Sequence, residues 1–148
     1  MSDLGIYDAM EDELEAAILA AALPDLADIR KTLSMHDLAA KDGPRKPCLG
    51  IVDSGAIAIS PPAIGTGLTR SKVTWDIPIC VQNQRGAVDG RRTLRALKEG
   101  VRGAVHNMAS STAPRARYRW VSDAPVTFED ADLCGAIATF EIETYFGN

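Results

Sequence analysis

At 148 residues, 46% apolar and 24% charged, the chain lies far from the composition of disorder, and it has the size of one domain, able to bury roughly 70% of its unfolded surface. Three cysteines without a C-x-x-C pair (Cys48, Cys80, Cys134) argue against a disulfide framework and for a reducing setting, and the longest apolar run, Ala16 to Leu23, falls well short of the ~20 residues that span a bilayer. The net charge of −4 is unevenly placed: residues 1–29 hold eight acids and no Lys or Arg, while residues 30–148 hold twelve acids and all sixteen bases. Such a dipole fits two solvated faces as well as head-to-tail contact between copies.

Met1-Ser2-Asp3-Leu4 offers no basic segment followed by an apolar one, so neither secretion nor membrane insertion is expected. Ile6, Met10, Leu14, Ala17, Ile18 and Ala21 then recur at steps of three and four with acids between them. This predicts a helix capped by Ser2 or Asp3, favoured at its start by acids against the helix dipole, and ended by Pro24. Residues 26–34 fit a short strand or further helix, and the strand is favoured. After the polar segment Lys41 to Pro47, Cys48 to Val52 reads as a short buried strand that Ala56 to Ile59 continues or pairs with. Pro61, Pro62, Gly65 and Gly67 bar a regular ladder, so residues 60–69 are expected to form a loop displaying Ile64 and Leu68.

The clearest period-two pattern follows, with Val73, Trp75, Ile77, Ile79 and Val81 on one face and Thr74, Asp76 and Gln82 on the other. Pro78 has no amide hydrogen and predicts an edge strand or a bulge at that point. A second helix is predicted from an Asp89 N-cap to about Met108, burying Leu94, Leu97, Val101, Ala104, Val105 and Met108. An exposed basic loop over residues 109–117 precedes a hairpin of strands 118–129 and 133–146 that turns at Asp130-Ala131-Asp132. These elements define an α+β fold: one mixed, mainly antiparallel sheet with two long amphipathic helices packed on it, in a single domain over residues 1–148.

No arrangement in this order marks a catalyst. His36 and His106 stand outside any nucleophile motif, and the cysteines and histidines lack metal-ligand spacing. Glu129, Asp130 and Asp132 could hold a hard cation, but a solvated turn accounts for the same residues. Gly65-x-Gly67 resembles the start of a dinucleotide fingerprint, yet Arg70 stands where the third glycine belongs. Neither enzyme activity nor a cofactor or metal is expected.

Two features of the second helix do suggest a partner. Arg91, Arg95, Lys98 and Arg102 follow i, i+4, i+7, i+11 and share a face opposite the apolar one, and cations near the helix N-terminus oppose the macrodipole by roughly 0.3–1 kcal/mol each. An anionic neighbour would offset this: the acidic first helix of another copy, another acidic protein, or DNA phosphate. Gly100 and Gly103 each cost about 1 kcal/mol relative to Ala inside a helix and permit close approach, either of the protein's own sheet or of another subunit.

Taken together, the acidic helix Ile6 to Leu23, the strand Cys48 to Val52, the segment Trp75-Asp76-Ile77-Pro78-Ile79-Cys80-Val81-Gln82-Asn83-Gln84-Arg85-Gly86, the helix Gly90 to Met108 and the closing strands Tyr118 to Phe146 resemble the tail-terminator proteins of Mu-like and lambda-like long-tailed bacteriophages. The resemblance implies a structural subunit of a hexameric ring that caps the tail tube, ends its polymerisation and presents the head-joining surface. It implies the tail tube protein and head–tail connector proteins as partners, no cofactor, and a place at the head-proximal end of the virion tail after assembly in the host cytoplasm.

A ring needs heterologous contacts between two different patches of each subunit. Asp8, Glu11, Asp12 and Glu15 on the first helix and Arg91, Arg95, Lys98 and Arg102 on the second would supply complementary ones, with Ile64 and Leu68 adding apolar contact. Arg115 and Arg117 are candidates to face a channel carrying DNA, where contact would be transient and non-specific because the chain is acidic overall. Two other readings stay open: a head–tail connector or tube-associated subunit, and a small ligand-binding domain or enzyme whose site is assembled from scattered residues. The last requires an enclosed polar pocket with a perturbed ionisable group.

Overall fold

A computed structural model describes residues 3–59, 68–83, 87–112 and 116–147. Within them the chain runs α1 (Asp3–Ala20), β1 (Asp28–Lys31), α2 (Met35–Ala39), β2 (Cys48–Ala58), β3 (Leu68–Gln82), α3 (Ala87–Val105), β4 (Arg119–Val126) and β5 (Leu133–Gly147). The five strands form one sheet in the order β1-β2-β3-β5-β4, parallel between β1 and β2 and antiparallel at the other three neighbours. One mixed sheet with helices on it is the α+β arrangement that the patterning predicts. The five-residue α2 is an element that the periodicity did not announce.

Alternation along β3 decides where the core sits. Val73, Trp75, Ile77, Ile79 and Val81 all point to one face, joined by Leu49 and Ile51 of β2 and by Ala138, Phe140 and Ile142 of β5. Ile6, Met10, Leu14 and Ile18 of α1 and Leu97, Val101 and Val105 of α3 close over them. Each fully buried side chain of this size contributes about 1.5–3 kcal/mol. The opposite face carries a smaller cluster, in which Leu38 of α2 covers Cys48 and Cys80, residues that face each other across the β2–β3 ladder. A hydrogen bond to Cys48, together with burial, pushes the Cys80 thiol up and keeps it protonated.

Several boundaries differ from the sequence expectations for identifiable reasons. α1 stops at Ala20, before Pro24, because Ala22 turns left-handed at φ 47° and its amide bonds back to Leu19. Asp89 lies inside the first turn of α3, which starts at Ala87, so it serves the dipole and is not the N-cap. β2 is one strand and not two, continuing past Val52 through an irregularity at Asp53/Gly55 that Gly55 accommodates with φ 110°. Pro78 sits in the central strand, neither at an edge nor at a bulge. The β2–β3 ladder pairs Leu49 with Ile79 and resumes at Val52 with Asp76, skipping the position opposite the proline. Gly50 fills that gap, where a β-carbon would lie 2.2 Å from the Leu33 carbonyl oxygen that crosses over it.

Candidate subunit-interface surfaces

The acids of α1 divide between two flanks. Glu13 turns inward, where its carboxylate accepts hydrogen bonds from the Tyr118 hydroxyl at 2.6 Å, the Ser110 hydroxyl at 2.6 Å and the Ser111 amide at 3.0 Å. Burial, and then the bond to Glu13, push the Tyr118 hydroxyl well above the ordinary tyrosine range. Asp8, Glu11, Asp12 and Glu15, spaced at i, i+3, i+4 and i+7, share the outer flank beside β1. There Lys31 of β1 donates to Asp12 at 2.6 Å. The Glu11 carboxyl is raised by partial burial and by Asp12, Asp8 and Glu15, against the opposing pull of Lys31. Exposed Leu4 and Leu19 make the two faces of α1 contrast less than those of α3.

On α3 the members of the basic stripe share one side, but it is a flank beside the buried face and not the face opposite it, and two contacts orient that flank. Arg102 reaches β4, donating to Asp123 at 3.3 Å with its guanidinium 4.3 Å above the Trp120 ring. The opposite flank of α3 meets the segment that follows α1: a β-carbon on Gly100 would stand 2.3 Å from a methyl of Leu23. The stripe therefore faces the β4 edge and α1 lies on the other side. Arg91 and Arg95 are exposed and Lys98 is half-buried, and among the described residues none of the three forms an ion pair.

Arg102 is different in kind. Trp120 donates its ring N–H to Asp123 at 3.0 Å and its amide to His106 Nδ1 at 3.1 Å, so arginine, tryptophan, aspartate and histidine form one knot between α3 and β4. The Nε of Arg102 is buried in it without a partner. Of the two helix glycines, Gly100 admits Leu23 and not the sheet, whereas a β-carbon on Gly103 would meet nothing within 4 Å.

Ile64 and Arg115 lie outside the described residues, as do the Gln84-Arg85-Gly86 steps of the resemblance. Leu68 is not in a loop: it opens β3, paired with Gly147. Arg117 donates to the carbonyl of Asn107 at 2.6 Å and so ties the segment after α3 to the helix end, where Asn107 is left-handed at φ 68°. Past Val52, β2 runs beyond its pairing with β1, and residues 53–59 are exposed together with Tyr145 on β5. Arg70 pairs with Glu143 and Lys72 with Glu141 on this extension, so these four charges are matched within it.

Asn83 has a structural role that its motif did not disclose. Its amide donates to the Asp132 carbonyl at 2.7 Å, its side-chain nitrogen donates to Ala131, and its side-chain oxygen accepts from the Cys134 thiol. It also packs against Gly90 so closely that a β-carbon there would overlap it. The residue thus joins the end of β3, the β4–β5 turn and the start of α3.

A polar cleft of about 740 Å³ opens beside the start of α3, with Asp25, Lys41, Arg45, Lys46, Asp89 and Arg92 on its walls. The groups with the largest displacements in acidity, Cys80 and Tyr118, are in the core and not in this cleft. Among the described residues no three His, Cys, Asp or Glu side chains gather closely enough to hold a metal ion. In the Glu129–Asp132 turn, the Asp132 amide donates to the Asp130 carboxylate at 2.9 Å, which closes the turn on itself.

No family model matches the chain, and no curated protein matches it significantly. Its fold, however, is similar to that of a chain in the virion of a native gene transfer agent particle, with a TM-score of 0.59 at 14% identity. The likeness covers 93% of this chain and 95% of that one. At that identity it speaks to the fold, which the two chains share over nearly their whole lengths.

Proposed function

We propose that this chain is a structural subunit of a phage-like virion and acts as a tail terminator: a ring, six-membered by resemblance, that caps the tail tube, stops its growth and presents a surface for joining the head. The observation that carries this reading is the likeness of fold, nearly end to end, with a chain of a virion particle. The acidic flank of α1 and the basic flank of α3 support it further, because closed rings are built from two different, complementary patches on each subunit. The role is one of assembly and not of catalysis. Its partners are further copies of the chain, the tail tube protein and the head–tail connector proteins, and its place is the head-proximal end of the tail.

Light scattering of the purified protein over a broad concentration range, alone and mixed with tail tubes, tests the reading. A discrete multi-subunit species that binds one end of the tubes is the expected outcome. A protein that stays monomeric at every concentration and leaves the tubes unlabelled in electron micrographs overturns it. Labelling at the connector and not at the tube end would assign it to the other side of the joint.

A further inference from the structure

The two unspent charge clusters lie at opposite ends of the helical layer. Asp8, Glu11 and Glu15 flank α1 on the side of β1, where Lys31 is engaged with Asp12 and Arg30 with Asp28. Arg91, Arg95 and Lys98 flank α3 on the side of β4, where the acid Asp123 is engaged with Arg102 and Trp120. The sheet order β1-β2-β3-β5-β4 holds these flanks apart within one subunit. They cannot neutralise each other in the same copy. A neighbouring copy related by rotation brings the acid side of one subunit against the basic side of the next, and a contact of two unlike surfaces is the kind that repeats around a ring.

From this geometry we infer that the partner of the α3 stripe is a second copy of this chain, through the outer flank of its α1: Arg91, Arg95 and Lys98 of one subunit meet Asp8, Glu11 and Glu15 of the next. Arg102, although part of the sequence stripe, takes no part in the contact. DNA and a foreign acidic protein are the competing occupants of the same flank. The inference rests on the ring reading above, and it goes further by naming which surfaces meet and in which sense.

A heterologous contact makes a demand that a twofold contact does not. Reversing the basic flank (Arg95→Glu with Lys98→Glu) gives a subunit with acid on both sides. Reversing the acidic flank (Asp8→Lys with Glu15→Lys) gives one with base on both sides. Each variant alone should associate about a hundredfold more weakly than the parent chain, since like charges then face each other. Mixed in equal amounts they should assemble again, and native mass spectrometry should find equal numbers of the two in every closed species.

Circular dichroism and thermal unfolding confirm that each variant is folded. Should one fail to fold, the neutral pair Asp8→Asn with Glu15→Gln replaces the reversed acidic flank, with about a tenfold weakening expected. The inference is overturned if a folded charge-reversed variant assembles like the parent, or if the mixture stays dissociated while the parent forms rings. It is equally overturned if short duplex DNA, and not a second copy, binds the parent in a way that the Arg95/Lys98 reversal abolishes. A parent chain that never associates is a different result, because there the ring reading itself has failed.

Discussion

At the C-terminal end of α3, Arg102 lies 4.3 Å above Trp120 and donates to Asp123, while along the same flank Arg95 and Arg91 are exposed and unpaired among the described residues. α1 makes the same division, with Glu13 held by Tyr118, Ser110 and Ser111 and Asp8 and Glu15 turned outward. A row of like charges on a helix is therefore not one feature. Members that reach another element of the same chain act as fasteners of the fold, and the others face solvent without an ion pair among the described residues.

Substitutions on the two sides of that division should differ in what they disturb. The largest effect belongs to Glu13→Ala, which takes a carboxylate away from four donors and deprives the buried Tyr118 hydroxyl of its acceptor. A loss of about 3 kcal/mol is expected in denaturant titrations, with a lower thermal midpoint. Asp123→Ala comes next: it leaves Arg102 over Trp120 without its acceptor and should cost about 1–2 kcal/mol, mostly by loosening β4 from α3. Gly103→Ala should act in the opposite direction and stabilise the monomer by about 0.5–1 kcal/mol, because the added methyl meets open space within a helix. A loss of association with that gain in stability would mark Gly103 as a point of close approach between copies.

Glu11 gives a smaller effect with a definite sign. Its carboxyl is raised in the folded chain, so the folded state favours the protonated form. That contribution is present below the ordinary glutamate range and disappears as the pH rises through the raised value. Glu11→Gln should therefore raise the unfolding midpoint slightly at pH 7 and by less at pH 4. Arg95→Ala should be nearly silent, within about 0.5 kcal/mol in monomer stability, while association weakens. If its stability falls as far as that of Asp123→Ala, the contrast drawn within the α3 flank is wrong.

What the sequence disclosed follows the same line between near and far. The alternation of β3, the three-and-four spacing of both long helices and the turn at Asp130–Asp132 are local signals, and all four elements are present, although β3 begins at Leu68, inside the expected loop, and α3 ends at Val105. The spacing of Arg91, Arg95 and Lys98 was sufficient to place them on one flank. It could not reveal that Arg102 would be drawn into the fold, because Asp123 lies 21 residues away on a different element. Nor could it join Glu13 to Tyr118 across 105 residues. Pro78 misled because its local rule assumes an unbroken ladder on both sides, whereas β2 skips the pairing opposite it beside a glycine that another loop crosses.

The edges of the sheet are guarded unequally. On β4 the outer strand carries Arg119, Asp123 and Pro125, residues that discourage a foreign strand from adding itself. Where β2 outruns β1, the stretch Gly55-Ala56-Ile57-Ala58-Ile59 has neither charge nor proline, and Ile57 is 68% exposed. Among the described residues, the end of β2 is thus the more adhesive of these two borders. Edge-to-edge addition is second order in free chain, so the hazard at this border rises with concentration even where the fold itself is stable.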